Sequence, residues 1–124
     1  GTTDPSSAKG EKPRAPVGAR DLAGLVQAIR QQVKPCYVIP TGGEGSDSTQ
    51  TVLRLQFRKD GSTATPPSVV EQSGITVANR GYAKQMADAA KRAVLRCSPL
   101  NLPADLYEGG WEDIEFVFNP RAMG

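Results

Sequence analysis

The chain has 124 residues, 38% of them hydrophobic, a formal charge of +2 and no histidine. That describes one globular domain plus a short tail, too weakly basic to point to nucleic acid and lacking the commonest general base and metal ligand. No run of about 18 apolar residues occurs to span a membrane, and no apolar leader opens the chain, so any signal or anchor is expected to have been removed or to lie outside this stretch.

Two cysteines without further ligands of the right kind do not make a structural zinc site. The one Trp, three Tyr and three Phe do not interleave with basic residues as single-strand binders require. The expectation is therefore neither an enzyme nor a holder of metal or organic cofactor.

Residues 1–18 (GTTDPSSAKGEKPRAPVG) bury too little surface to offset their ordering entropy. They read as a flexible linker, its first residues in part a cloning remnant, ahead of one domain over 19–124. A first helix is expected from an N-cap at Asp21 to about Val33, with Leu22, Leu25, Val26, Ile29 and Val33 as its apolar stripe. Pro35 ends it. Residues 40–50 (PTGGEGSDSTQ) are turn formers and read as a mobile loop. Within them, residues 41–45 superficially resemble a phosphate loop, but no helix follows and no Lys-Ser/Thr completes it.

From Thr51 to Arg58 the period becomes two, with Leu53, Leu55 and Phe57 on one face and Val52, Arg54, Gln56 and Arg58 on the other. Asp60-Gly61 then signals a hairpin. The returning strand, about Thr63 to Gln72, contains Pro66-Pro67, so it is an edge or pairs only after Pro67. Thr76 to Arg96 is the strongest helical pattern. Tyr82, Met86, Ala89, Ala90, Ala93, Val94 and Cys97 form its apolar stripe, Lys84, Asp88, Lys91 and Arg92 its polar face, and Asp88 is placed to pair with Arg92. The Lys91, Arg92 and Arg96 cluster reads as a solvated helix face.

After Pro99 and a Pro- and Leu-containing connection, Trp111 leads into the last segment. There Ile114, Phe116 and Phe118 alternate with Glu115 and Val117, and Pro120 stops the strand. Trp111 and Tyr107 read as core anchors. The order α-β-β-α-β implies an α+β domain of two layers, a three-stranded antiparallel sheet packed under two helices.

Cys36 and Cys97 each follow a helix end beside a proline. One bridge between them would close a loop of 61 residues, contribute about 4 kcal/mol and imply an oxidising compartment. The alternative is two buried free thiols packed as small hydrophobes.

The segment Val52–Phe57, Lys59-Asp60-Gly61, Ser68-Val69-Val70 and an Ala-rich helix ending near proline resembles the C-terminal domain of the TolA/TonB energy transducers. The tail, Leu102-Pro103-Ala104-Asp105-Leu106-Tyr107 followed by Trp111-Glu112-Asp113-Ile114-Glu115-Phe116-Val117-Phe118-Asn119-Pro120-Arg121, is similar to the ending of alphaproteobacterial TolA proteins. The two cysteines fit that group as well. The resemblance covers about residues 20–123.

It implies a monomeric third, periplasmic domain of a protein anchored in the inner membrane, without membrane contact of its own. Members connect the TolQ–TolR complex to TolB and Pal, support outer-membrane integrity and constriction at division, and are exploited by phage coat protein and colicins. The alternative is a TonB-type domain binding the box peptide of outer-membrane transporters. The long glycine-rich 40–50 loop and Pro35-Cys36-Tyr37 in place of a Tyr-Pro argue against TonB more than against TolA.

For such an adaptor the expected mechanism is strand addition along the last strand, Ile114, Glu115, Phe116, Val117, Phe118 and Asn119. Backbone groups would carry the affinity, Glu115 and Val117 would meet the partner, and Ile114, Phe116 and Phe118 would hold the strand in place. On sequence alone Glu112, Asp113 and Glu115 fit equally well as charges that protect a sheet edge from aggregation; the resemblance favours docking. An acid/base pair among them lacks any supporting polar machinery.

Overall fold

The computed structural model describes residues 17–40 and 45–123. In chain order they form α1 (Ala19–Val33), β1 (Gln50–Gln56), β2 (Ser68–Ser73), α2 (Ala83–Cys97), β3 (Asp113–Phe118) and a final turn of helix, α3 (Pro120–Met123). The fold is α+β, with a three-stranded antiparallel sheet in the order β2-β1-β3. Residues 1–16 of the expected linker and residues 41–44 of the glycine-rich loop lie outside the described residues. Val17, at the linker's end, is docked: its N–H donates to the Gly109 carbonyl at 3.2 Å and its side chain lies against Gly110.

Period-two alternation does what it predicts in the sheet. Leu53, Leu55 and Phe57 from β1 and its extension, and Ile114, Phe116 and Phe118 from β3, are buried on one face. Leu25, Ile29 and Val33 of α1 and Ala90, Ala93 and Val94 of α2 complete the same core. Each fully buried large apolar side chain contributes about 1.5–3 kcal/mol. The α1 stripe is narrower than its spacing predicts, because Leu22 stays exposed and Val26 only borders the core. Asp21 is not the N-cap. Gly18 holds that position, and Asp21 sits in the first turn, where its charge favours the helix dipole.

The second helix begins seven residues later than expected, and Asn79 is the reason. This side chain is fully buried, and its Oδ1 accepts the Thr76 N–H at 2.7 Å. Its Nδ2 donates to the carbonyls of Gly45 at 2.8 Å and Gly74 at 2.9 Å. Local side-chain bonds of this kind compete with helical ones, so 76–79 form a turn and α2 starts only after it. The same amide fixes residues 45–50, which are therefore ordered: a helical turn over Ser46–Ser48, a buried Thr49, and Gln50 opening β1. Asp88 takes Lys84 as its partner at 2.9 Å, one turn back, rather than Arg92. That hydrogen bond holds its carboxyl below the usual carboxylate range.

At Asp60-Gly61 the chain turns tightly, with the Arg58 N–H donating to the Ser62 carbonyl at 2.8 Å. Gly61 has φ of 89°, and a Cβ there would fall 1.9 Å from the Leu100 carbonyl oxygen, so only glycine fits. The returning chain touches β1 at Thr63, opposite Phe57, and leaves through Pro66-Pro67. It rejoins as β2 at Ser68, with a bulge between Val52 and Leu53.

Cys36 and Cys97 form a disulfide with their Cα atoms 6.0 Å apart, which disposes of the free-thiol alternative. It joins the turn after α1 to the last residue of α2. Converting both cysteines to serine should lower unfolding stability by about 4 kcal/mol, read from urea midpoints; a loss under about 1 kcal/mol would contradict this account. Asn79→Ala should cost about 2–3 kcal/mol by the same assay, because it strands two backbone carbonyls. Wild-type stability in that variant would show that the Asn79 bonds do not hold the loop.

Candidate docking edge

The ladder between β1 and β3 runs unbroken from Thr51↔Phe118 to Gln56↔Asp113. One residue beyond, the Phe57 N–H donates to the Glu112 carbonyl at 3.1 Å. In an antiparallel ladder hydrogen-bonded pairs recur at every second residue. Ile114, Phe116 and Phe118 therefore bond to β1, and the N–H and C=O of Asp113, Glu115 and Val117 point away from it. Among the described residues those three make no further backbone hydrogen bonds.

The expected docking residues thus divide by parity. Ile114, Phe116 and Phe118 are buried, at 6%, 1% and 1% exposure, and lie under the helices. Glu115 and Val117 lie on the open face, where Val117 is 42% exposed and faces Val52 across the strands. Asn119 lies past the strand. Its Oδ1 accepts the Arg121 N–H at 3.1 Å, and its carbonyl accepts the N–H groups of Ala122 and Met123. It caps α3, and Pro120 and Met123 are buried beyond it.

Beneath, Phe118 meets Phe116 and Tyr37 edge to face, with ring centroids 5.1 and 5.2 Å away. Burial pushes the Tyr37 hydroxyl up to about 12. Tyr37 directly follows the disulfide cysteine, so the covalent link and the strand share one packing contact. At the other end Trp111 is buried, its Nε1 donating to the Pro103 carbonyl at 2.6 Å. The Tyr107 hydroxyl donates to the Phe57 carbonyl at 2.7 Å. Both aromatics are structural anchors for the approach to β3.

Periodicity could not reveal the fork on the open face. Arg54 Nε and Nη2 donate to the two carboxylate oxygens of Asp113 at 2.9 and 2.6 Å, and Gln56 Nε2 donates to Oδ2 at 3.4 Å. Finding it requires knowing that β3 pairs with β1, and in which register. The Arg54 fork holds the Asp113 carboxyl below the usual carboxylate range. A groove of about 570 Å³, lined in part by Gln56, Thr65, Tyr107 and Asp113, opens at this end of the sheet. Glu112 and Asp113 both line it, and Asp113 is already committed to Arg54.

No family model, curated protein or solved structure matches this chain. Its own geometry must therefore carry the argument. Among the described residues no helix is long and apolar enough to cross a membrane, and no cluster of three or more His, Cys, Asp or Glu side chains could hold a metal. The two sheet edges are unlike. β2 is blunted by Pro66-Pro67 at its start and by the bulge against β1. β3 has neither feature along its six residues, so it alone presents a straight, regular row of backbone groups.

A depressed carboxyl stabilises the fold above its unfolded pKa of about 4, and that contribution disappears as pH falls through the folded value. In Arg54→Met the Asp113 carboxyl, followed by NMR titration, should rise to the ordinary range. The stability gap to wild type should narrow below about pH 4. An unmoved Asp113 titration would show that the fork does not set its ionisation.

Proposed function

We propose that this is a protein-interaction domain that captures an extended segment of a partner as a fourth strand on the outer edge of β3. The observation that supports this reading is the contrast between the two edges: β2 carries prolines and a bulge, and β3 carries six residues of unbroken register with three outward backbone pairs. Strand addition needs such a row, because main-chain hydrogen bonds supply its affinity and alternate side chains its preference. Each bond contributes about 0.5–1.5 kcal/mol net, so a short rail gives a grip that forms and releases readily.

Together with the TolA-like tail, this supports a periplasmic role as the C-terminal domain of a TolA-type transducer. TolB and Pal would be its partners, phage coat protein or colicins its opportunistic ligands, and outer-membrane integrity and constriction its task. The disulfide fits an oxidising compartment. No step in this role requires catalysis or a cofactor.

Val117 and Phe116 give a paired test. Val117→Pro removes an outward donor and no bond to β1, whereas Phe116→Pro removes a ladder bond and a core side chain. The first should keep the native circular dichroism and lose binding of a TolB N-terminal peptide by more than tenfold; the second should unfold. Unchanged affinity in folded Val117→Pro excludes the rail. Preference for a transporter box peptide over the TolB peptide would move the assignment to a TonB-type domain.

A further inference from the structure

The charge pattern along the rail points to the chemistry of the guest. We infer that β3 selects a guest strand bearing Lys or Arg opposite Glu115 and a β-branched apolar residue, two positions away, opposite Val117. This rests on the docking reading of β3 and specifies the partner it would take.

Of the two acids on this strand's outward positions, one is already satisfied. Asp113 is held by both nitrogens of the Arg54 fork. Glu115 is the register partner of Arg54 across the ladder, yet the guanidinium turns to Asp113, and among the described residues the Glu115 carboxylate accepts no hydrogen bond. Its backbone N–H and C=O also face outward. A guest residue bonded to those groups places its own side chain on the open face beside that carboxylate, about 5.5 Å away between Cα atoms. A cation there is favoured and an anion disfavoured.

Two residues on, Val117 already forms an apolar pair with Val52 on the same face. A Val or Ile on the guest extends that pair into a row of three. Successive open-face positions on a strand lie two apart, so the guest's signature is a basic and a β-branched residue flanking one intervening residue. Either strand direction satisfies it.

The same charges work against a second copy of this chain. When two β3 strands pair antiparallel with outward residue against outward residue, the largest overlap, five of the six residues, is reached in two registers. One sets Glu115 directly opposite Glu115 of the other copy; the other sets Glu115 opposite Val117, leaving the two Glu115 carboxylates diagonal neighbours. Both arrangements bring like charges together. A basic strand removes the conflict that a second copy creates.

The probes are two capped eight-residue strand peptides, one with Lys and Val two positions apart and the other with Glu in place of that Lys. Binding to the full chain is followed by backbone amide shifts and by exchange at Glu115 and Val117. At about 20 mM salt the Lys peptide should bind about two- to fivefold more tightly than the Glu peptide. That ratio should fall towards one at about 300 mM salt. In Glu115→Gln, which keeps the shape of the side chain, it should fall towards one at low salt too; in Glu115→Lys it should invert. Equal affinity for both peptides, with protection at Glu115 and Val117, would overturn the charge selection and leave the rail intact. Failure of both peptides to protect those amides, with the TolB peptide also unbound, would overturn both. A dimer of the free domain in sedimentation, lost in Val117→Pro, would overturn the inference in favour of a second copy.

Discussion

Alternation along β3 assigns its residues to two jobs, and the rest of the molecule is arranged around that division. At Ile114, Phe116 and Phe118 the side chain fills the core and the backbone bonds to β1; at Asp113, Glu115 and Val117 the side chain lies on the open face of the sheet and the backbone points outward from its edge. In a strand paired on one side only, the two alternations run in phase. A substitution at an even-numbered position therefore reaches the core and the ladder together. One at an odd-numbered position reaches mainly what approaches from outside.

A rail is useful only if it is held straight before the guest arrives, since ordering it on binding would consume affinity. Its far end is clamped by Asn119 capping α3 and by buried Pro120 and Met123. Tyr37 wedges against Phe118 from below, one residue from the bridge that locks the helix ends together. Its near end is set by Trp111 and Tyr107, whose polar atoms bond to the Pro103 and Phe57 carbonyls. The aromatic residues that lend the tail its distinctive look thus act on the strand's position, and the contact surface is left to small and charged side chains.

Much of this was legible in the chain wherever a local rule governs the outcome. Period two located Leu53, Leu55 and Phe57 and the three core residues of β3, Pro66-Pro67 foretold that the returning strand lies at a sheet edge, and the flanking prolines placed the cysteines at helix ends. The misreadings occur where a distant group decides. Asn79 reads as an ordinary helix residue until Gly45, thirty-four positions away, supplies the carbonyl that holds it in a turn. Gly61 reads as a hairpin glycine, but the Leu100 backbone is what excludes every other residue. Asp88 had three cations within one turn of helix, Lys84, Lys91 and Arg92, and spacing alone does not choose between them. The Arg54–Asp113 fork was invisible because neither periodicity nor spacing gives the order β2-β1-β3.

On the docking reading proposed above, that order also joins the two opposed readings of the acidic tail. Charges that protect an edge and charges that recognise a partner look like alternatives so long as each acid is considered alone. With β3 outermost and Asp113 neutralised by Arg54, the carboxylate on the rail with no hydrogen-bonding partner among the described residues is Glu115, near the middle of the strand. On that reading the Glu115 carboxylate, which meets the Arg54 guanidinium through charge but not through a hydrogen bond, opposes an identical strand, which brings its own Glu115, and favours one carrying a cation. Protection and recognition are then one electrostatic preference acting on two kinds of visitor. On that reading an edge of this kind can stay regular, without the proline or bulge that β2 carries, with charge rather than backbone shape selecting what pairs with it.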